Sequence, residues 1–274
     1  MQKIFNHILV PVHSSRKSGA GISKAIEFAN QMGCHLHLLY INEPPRFHWW
    51  HKLFYNTNKR LHANGQVRLF ELREQYYKHM KPGLRLFASL QEGDMERSIA
   101  EYAEMYSIDM ILVTQERSMH KLNVSRLAGQ THCPVLSTRF DPDLRNMRII
   151  VLPIGSHLPV NKIRVAIWLA KEFNASIHLL ALEKKGAREG TREDELSYLR
   201  KAFRVLKDNT DLPVVCSTLQ GQSLATISVE YAYSVKAGLI IVNPGTESVF
   251  PASVSRLFSR FMVSDANVPV ITVS

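Results

Sequence analysis

The strongest constraint on the fold of this chain is an internal repeat: residues 8–39 recur as residues 149–180, and the two segments align without a gap. Ten of the 32 aligned positions are identical. A repeat at a fixed spacing indicates a duplicated structural unit. The identical pairs are Ile8/Ile149, Val10/Val151, Ser15/Ser156, Ile22/Ile163, Ala25/Ala166, Ile26/Ile167, Ala29/Ala170, His37/His178, Leu38/Leu179 and Leu39/Leu180.

Each copy has the pattern of a strand, a helix and a second strand. Residues 8–12 are apolar throughout, which is typical of a parallel strand covered on both faces. Apolar residues then recur at helical spacing, and Gly33 and Asn174, which tolerate a left-handed backbone, predict where the two helices end. The predicted helix contacts are Ile22, Ala25, Ile26 and Ala29 in the first copy and Ile163, Ala166, Ile167 and Ala170 in the second.

The later segments of the chain also occur in pairs. Third strands are predicted at residues 84–90 and 214–219, fourth strands at 110–114 and 239–243, and "NVSRL" and "SVSRL" lie in the last helices. Because strands and helices alternate, we predict an α/β fold with two tandem domains, residues 1–143 and 144–274. Each domain is expected to be a five-stranded parallel sheet with helices on both faces. The polar break Asp141-Pro142-Asp143 is the predicted link.

Residues 46–80 of the first domain are the least repeated part of the chain. Their His48-Trp49-Trp50-His51 motif is a candidate metal site, but no cysteine or carboxylate is spaced to complete a zinc ligand set. The aromatic and basic residues are also compatible with nucleic-acid binding, although such patterns more often form a core and a solvated face. Packing of the Trp pair against the partner domain or a second subunit is the favoured interpretation. The expected apolar stripe of this segment is Val67, Phe70, Leu72 and Tyr76.

Composition excludes several classes of protein. With 45% hydrophobic and 21% charged residues, the chain has the composition of an ordinary globular protein. Its formal charge of +10 is spread over both halves, so a nucleic-acid partner is not indicated. No apolar run is long enough for a membrane span and no export signal is recognisable, so a cytoplasmic location is expected. The three cysteines form no C-x-x-C pair and are expected to be reduced.

The order of these signals resembles the universal stress protein family. The resemblance rests on "ILVPV", an alanine-bearing helix, "LHLL", a glycine before the third helix, "ILV" before a loop, and "VSRL" followed by "CPV". It implies two tandem Rossmann-like domains of the adenine nucleotide alpha hydrolase-like type. Members that bind ATP or AMP have an aspartate after strand one and a G-x-x-G-x9-G-[S/T] loop after strand four. The glycines let backbone amides approach the phosphates at a helix N-terminus.

Both halves depart from that nucleotide motif. In the first, His13 takes the place of the aspartate and the loop "TQERSMHKLNVSR" has no glycine. In the second, the position is Ile154 in the gapless alignment, or Gly155 if Pro11 is matched to Pro153. Side chains in the loops would occupy the space that phosphates need. If either half binds a nucleotide, the second is favoured, and its candidate contacts are Ile154, Gly155, Ser156, Asn243, Gly245 and Ser253.

Two further motifs have structural interpretations. Gly221-Gln222-Ser223 resembles the turn that carries a nucleophilic serine, but its twin in the first half has Asp94 and no serine, which indicates that Ser223 caps a helix. His37 and His178 recur in the second strands and are expected to be core histidines with satisfied hydrogen bonds.

The sequence favours a non-enzymatic binding or regulatory module, with no catalytic residue, no metal site and no identified cofactor. The alternative is an ATP- or AMP-binding protein with slow ATPase activity that uses the second domain. The resemblance also implies that the two domains pair through their last strands, at Val135-Leu136 and Val270-Ile271, and a homodimer is a further expectation.

Overall fold

The computed structural model describes residues 4–12, 18–43, 55–114, 122–138, 144, 147–183, 189–221, 223–243 and 268–274. The chain forms two compact units, Met1–Asn123 and Val124–Ser274. No helix in the described part of the chain is both long and apolar enough to cross a membrane.

The first unit contains a parallel sheet of four strands in the order β3-β2-β1-β4. Helices α1 and α2 pack on the β1, β2 and β3 strands, and α3 packs on β2. The elements are β1 (His7–Val12), α1 (Ser18–Met32), β2 (His35–Asn42), α2 (Tyr55–Tyr77), β3 (Leu86–Glu92), α3 (Met95–Met105) and β4 (Met110–Thr114).

The second unit contains a sheet of six strands in the order β5-β10-β9-β6-β7-β8. All neighbouring pairs are parallel except β10 and β5, which are antiparallel. The elements are α4 (Val124–Thr131), β5 (Val135–Thr138), β6 (Ile149–Pro153), α5 (Val160–Phe173), β7 (Ser176–Glu183), α6 (Glu189–Asn209), β8 (Val214–Gln220), α7 (Leu224–Ser234), β9 (Leu239–Val242) and β10 (Val270–Thr272).

The strand order places helices on both faces of each sheet. From β6 the chain moves outward to β7 and β8, then crosses back to β9 on the other side of β6. Since crossover connections between parallel strands are right-handed, this reversal places α7 on the face opposite α5 and α6, which pack against each other. The predicted α/β fold, with five strands contributed by each repeat, is confirmed.

The compact units do not divide at the end of the first repeat. The sequence boundary at residues 143/144 stays a prediction, whereas the units separate between Asn123 and Val124. The physical reason is the last strand of the first repeat: Val135, Leu136 and Ser137 are the register partners of Thr272, Ile271 and Val270. Both Leu136 and Ile271 are fully buried, so β5 belongs to the core of the second unit.

Strand pairing decides between the two sequence alignments at the first strand. Ile8 pairs with Leu36 in the first sheet, whereas Ile150, not Ile149, pairs with the equivalent Ile177 in the second. The first strands are therefore offset by one residue from the gapless alignment. Pro11 corresponds to Pro153, and Gly155 stands where the first repeat has His13.

The predicted helix ends and caps agree with the structure. Gly33 and Asn174 follow α1 and α5 with φ of 64° and 48°. Asp94 and Ser223 cap α3 and α7, each side chain accepting a 3.1 Å hydrogen bond from the backbone N–H three residues later. Ser223 is thus a cap, as its twin indicated.

The predicted apolar stripe of α2 is partly wrong. Leu72 and Tyr76 are buried, but Val67 and Phe70 are 59% and 62% exposed. Leu69 takes the buried position instead. The periodicity was ambiguous because α2 has apolar residues on two opposite sides, and only packing on β3 shows which side faces the core.

Candidate functional site

The candidate site lies at the carboxyl ends of β6 and β9 in the second unit. These strands are neighbours, and the strand order reverses between them. In open parallel sheets, ligands bind in the crevice beyond such a reversal because the connections leave in opposite directions. The residues after β6 begin with Ile154, and Asn243 follows β9.

The structure separates the roles of three candidate residues after β6. Ile154 is only 1% exposed, and its N–H donates to the Leu180 carbonyl at 2.7 Å, so this residue extends the strand and packs in the core. Gly155 is partly exposed and Ser156 is exposed. Gly245 and Ser253 lie outside the described residues, as do His13 and the His48-Trp49-Trp50-His51 motif.

Lys162, which sequence analysis missed, is the most unusual side chain at this edge. It lies in the first turn of α5, is fully buried, and donates from Nζ to the Pro153 carbonyl at the end of β6, at 2.5 Å. A buried ammonium requires polar partners because its desolvation is strongly unfavourable. The sequence signal that could have identified Lys162 is the alignment of the first helices of the two repeats, in which Lys162 corresponds to Gly21.

Gly21 shows why the first repeat has no side chain at that position. A Cβ added there would lie 2.9 Å from both Cγ2 and Oγ1 of Thr114, the last residue of β4. Helix α1 therefore approaches β4 so closely that only glycine fits. In the second repeat the equivalent helix position carries a lysine whose buried side chain bonds to the end of β6.

Asn243 occupies the position that corresponds to Thr114. Its Oδ1 is buried and has no hydrogen-bond partner within the part of the chain that the structure describes. A buried acceptor without a donor destabilises the fold by about 1–3 kcal/mol, so an unsatisfied oxygen in a crevice is a candidate ligand contact.

The last strand provides a wall of the same edge. Val273 donates from its backbone N–H to Val242 at 2.8 Å, and Asn161 in the first turn of α5 donates from Nδ2 to the Ser274 carbonyl at 3.2 Å. The first turn of α5 is therefore held against the ends of β9 and β10 as well as against β6.

The described residues of this edge offer binding groups: a cation, an amide oxygen and the N-terminus of α5. Ser223 is not part of it and pairs with Thr226 through a 2.8 Å contact between hydroxyl oxygens, as part of the cap. Among the residues that the structure describes, no three His, Cys, Asp or Glu side chains are arranged to hold a metal ion.

The two repeated histidines are satisfied, as predicted, and lie away from the crevice. His37 Nδ1 is 3.1 Å from the Tyr102 hydroxyl, and His178 Nδ1 is 2.8 Å from the Tyr231 hydroxyl. Each pair joins the second strand of a repeat to its third helix.

Comparison with solved structures shows the fold. A universal stress protein from Archaeoglobus fulgidus DSM 4304 is 13% identical, with a TM-score of 0.65, and the alignment covers 98% of this chain and 96% of that one. A protein of unknown function from Pseudomonas aeruginosa PAO1 is 17% identical, with a TM-score of 0.57 and coverage of 99% and 94%. The cytoplasmic domain of a prokaryotic cation chloride cotransporter is 11% identical, with a TM-score of 0.52 and coverage of 98% and 95%.

Sequence comparison assigns the family. No curated protein sequence matches this chain significantly. Residues 5–139 match the universal stress protein family, and that range ends at the last strand of the first repeat. The second repeat has the same order of strands and helices. The first repeat therefore belongs to the universal stress protein family, and the whole chain has the fold of a tandem repeat of a Rossmann-like unit.

Proposed function

We propose that this chain acts as a non-enzymatic binding or regulatory module of the stress response, in which the nucleotide crevice of the second repeat is filled by Lys162. One observation carries the proposal: the fully buried ammonium bound to Pro153 at the strand reversal. In the first repeat the same position is Gly21, packed against Thr114.

The argument depends on space and charge at one position. A lysine side chain adds four methylenes and an ammonium where the first repeat has only backbone. Its Nζ is already bonded to protein, and the side chain has no exposed surface through which a phosphate could reach it. A ligand would have to displace the lysine before it could occupy the crevice.

A second candidate function is binding of ATP or AMP, with slow ATP hydrolysis, through Ile154, Gly155, Ser156, Asn243, Gly245 and Ser253. Asn243 Oδ1 favours it, because this oxygen has no donor among the described residues and a ligand hydroxyl or amine would supply one. The charge of Lys162 also has the sign that suits a phosphate.

Thermal unfolding with ATP, ADP and AMP separates the two functions. A ligand at about 100 times its dissociation constant stabilises a protein by ~2.7 kcal/mol, which is readily measured. We expect no shift with the wild type at millimolar nucleotide, and a shift that develops in Lys162→Gly, which reopens the crevice. Lys162→Met, which keeps the volume without the charge, is the control. If a nucleotide stabilises the wild type and this stabilisation disappears in Lys162→Met, the protein binds the nucleotide and our proposal is wrong.

We further propose that the two repeats pair through their last strands in solution. The register of Ser137 opposite Val270 supports this pairing. Directly opposed residues in antiparallel strands have Cα atoms about 4.5–5.5 Å apart, which suits a disulfide. The variant Ser137→Cys/Val270→Cys should therefore form an intrachain disulfide, whereas Ser137→Cys/Thr272→Cys should not. Exposed Cys216 is replaced by Ser in both. A disulfide-linked dimer would instead indicate exchange between two copies of the chain, and no disulfide would refute the pairing.

We also propose a cytoplasmic location, with no membrane or nucleic-acid partner. None of the cysteines Cys34, Cys133 and Cys216 is in a disulfide, which suits a reducing compartment. Fractionation of cells that produce the full chain would test this location, and recovery with membranes would contradict it.

A further inference from the structure

Three imidazoles meet at the amino ends of β1 and β2 in the first unit. Nδ1 of His7 lies 2.9 Å from Nε2 of His37, and the ring centroids of His7 and His35 are 5.1 Å apart. The cluster lies on the face of the sheet covered by α3, since His37 also contacts Tyr102 of that helix. This edge is opposite to the one that holds the crevice of a parallel sheet.

His37 is the centre of a continuous hydrogen-bonded chain. Its Nδ1 is 3.1 Å from the Tyr102 hydroxyl, which is 3.1 Å from Ser89 Oγ. His37 is 2% exposed and its ring stacks on Phe87 with centroids 4.5 Å apart. The bond between His7 and His37 is therefore coupled to the contact that holds α3 on the sheet.

The second unit contains the same histidine and tyrosine without the other imidazoles. Strand register matches His7 with Ile149 and His35 with Ser176. His178 Nε2 lies 3.1 Å from Ser176 Oγ, and its Nδ1 lies 2.8 Å from the Tyr231 hydroxyl. A hydroxyl thus replaces the imidazole partner of the first unit.

This replacement changes the response to protons. The bond between His7 and His37 needs one facing nitrogen with a proton and one without. One added proton can go to the other nitrogen of either ring and leave the bond intact, but protonation of both rings places two N–H groups 2.9 Å apart and breaks it. A serine hydroxyl either donates or accepts, so His178 keeps its bond to Ser176 in both protonation states.

The surroundings oppose a positive charge on His37. Burial, together with the smaller effects of the nearby His7 and His35, lowers the pKa of His37 from 6.5 to about 4. Burial alone lowers the pKa of His178, and burial raises the pKa of Tyr102. The carboxylate of Asp109, at this edge of the sheet, accepts hydrogen bonds from the backbone N–H groups of Asn6 and His7. The titratable or polar groups that face His37 are His7 on β1, His35 on β2, Ser89 on β3, and Tyr102 and Tyr106 on α3.

We propose that the His7, His35 and His37 cluster is a proton-sensitive latch: mild acidification breaks the bond between His7 and His37 and loosens α3 in the first unit, while α7 in the second unit stays packed. The direction follows from linkage, because the open state binds the proton that the closed state excludes. The closed state is fully favoured above about pH 6.5 and loses stability as pH falls towards 4.

Hydrogen exchange on the full chain tests the latch. Protection of α3 (Met95–Met105) and α7 (Leu224–Ser234) is compared at about pH 7.5 and about pH 5, after correction for intrinsic exchange rates. We expect protection of α3 to fall by about tenfold or more at the lower pH, since about pH 5 lies between the ordinary pKa of His37, 6.5, and its pKa of about 4 in the closed state. Protection of α7 should fall much less. Equal losses in α3 and α7 would overturn the proposal.

Two variants exchange the residue patterns of the two units. His7→Ile/His35→Ser gives the first unit the pattern of the second, and α3 should then lose much less protection at the lower pH, as α7 does in the wild type. Ile149→His/Ser176→His makes the reverse change, and α7 should become acid-sensitive. The second variant decides the matter if the first does not fold at neutral pH. An unchanged acid response of α3 in a folded first variant, or an unaffected α7 in the second, would refute the latch.

Discussion

The two repeats differ most where the first helix meets the end of the fourth strand. In the first repeat Gly21 lies against Thr114 with no room for a Cβ. In the second, Lys162 is buried and Asn243 Oδ1 has no hydrogen-bond partner among the residues that the structure describes. The strands and helices around these residues occur in the same order. The comparison shows that two copies of a domain can keep the same order of strands and helices while one position differs. That position is a closely packed glycine in the first copy and a buried lysine in the second.

Among the residues that differ between the repeats, substitution of Lys162 should change the free energy of unfolding most. Lys162→Ala deletes buried methylenes and leaves the Pro153 carbonyl without its ammonium, so we expect a loss of about 2–4 kcal/mol in the free energy of unfolding. Lys171 in the same helix is a matched control, since its Nζ also donates to a backbone carbonyl, that of Asn209, but the residue is exposed. Lys171→Ala should lower stability by less than about 1 kcal/mol. Equal losses in urea denaturation would show that burial of Lys162 is unimportant.

Adding a methyl group at Gly21 tests the other side of the comparison. Gly21→Ala should lower stability by about 1–2 kcal/mol, because overpacking against Thr114 exceeds the gain in helix propensity. In a Thr114→Ala background, which removes the two atoms at 2.9 Å and leaves Cβ at 3.3 Å, the same substitution should be neutral or stabilising by up to ~1 kcal/mol. Denaturation curves should therefore show that Gly21→Ala lowers stability in the wild type but does not lower it in the Thr114→Ala background. A stable Gly21→Ala variant would mean that α1 and β4 are less closely packed than in this structure.

The helix caps should show the smallest difference between the repeats. Asp94 and Ser223 make equivalent 3.1 Å bonds to the first turns of α3 and α7. Substitution of either residue by Ala should therefore lower stability by about 1 kcal/mol, whereas Asp94→Asn and Ser223→Thr should change it little. Hydrogen exchange in the first turn of each helix provides the measurement. If Ser223→Ala had no effect, Ser223 would need another role than capping.

The family assignment and the fold were accessible from sequence because they depend on local patterns. The repeated apolar runs predicted the strands, the spacing of Ile22, Ala25 and Ala29 predicted a helix, and those side chains are almost fully buried. Gly33, Asn174, Asp94 and Ser223 marked helix ends because capping depends on a few consecutive residues. The departures of both repeats from the nucleotide-binding motif were visible in the sequence for the same reason, since that motif is a short sequence pattern.

Long-range packing decided the remaining features. The one-residue offset that places Gly155 opposite His13 depends on which residues of two separate strands pair. The assignment of β5 to the second unit depends on its pairing with β10, which is more than 100 residues away along the chain. Likewise, Val67 and Phe70 are exposed because the opposite side of α2 faces the sheet.

By itself, the sequence determined a duplicated α/β unit and the positions of its strands and helices, because apolar periodicity and capping are properties of short segments. Only the tertiary structure decided that Lys162 is buried against Pro153, that Asn243 Oδ1 has no donor among the described residues, and that ring nitrogens of His7 and His37 lie 2.9 Å apart. These groups come together from segments distant in the chain. Their burial and partners are set by packing, which no single stretch of sequence contains.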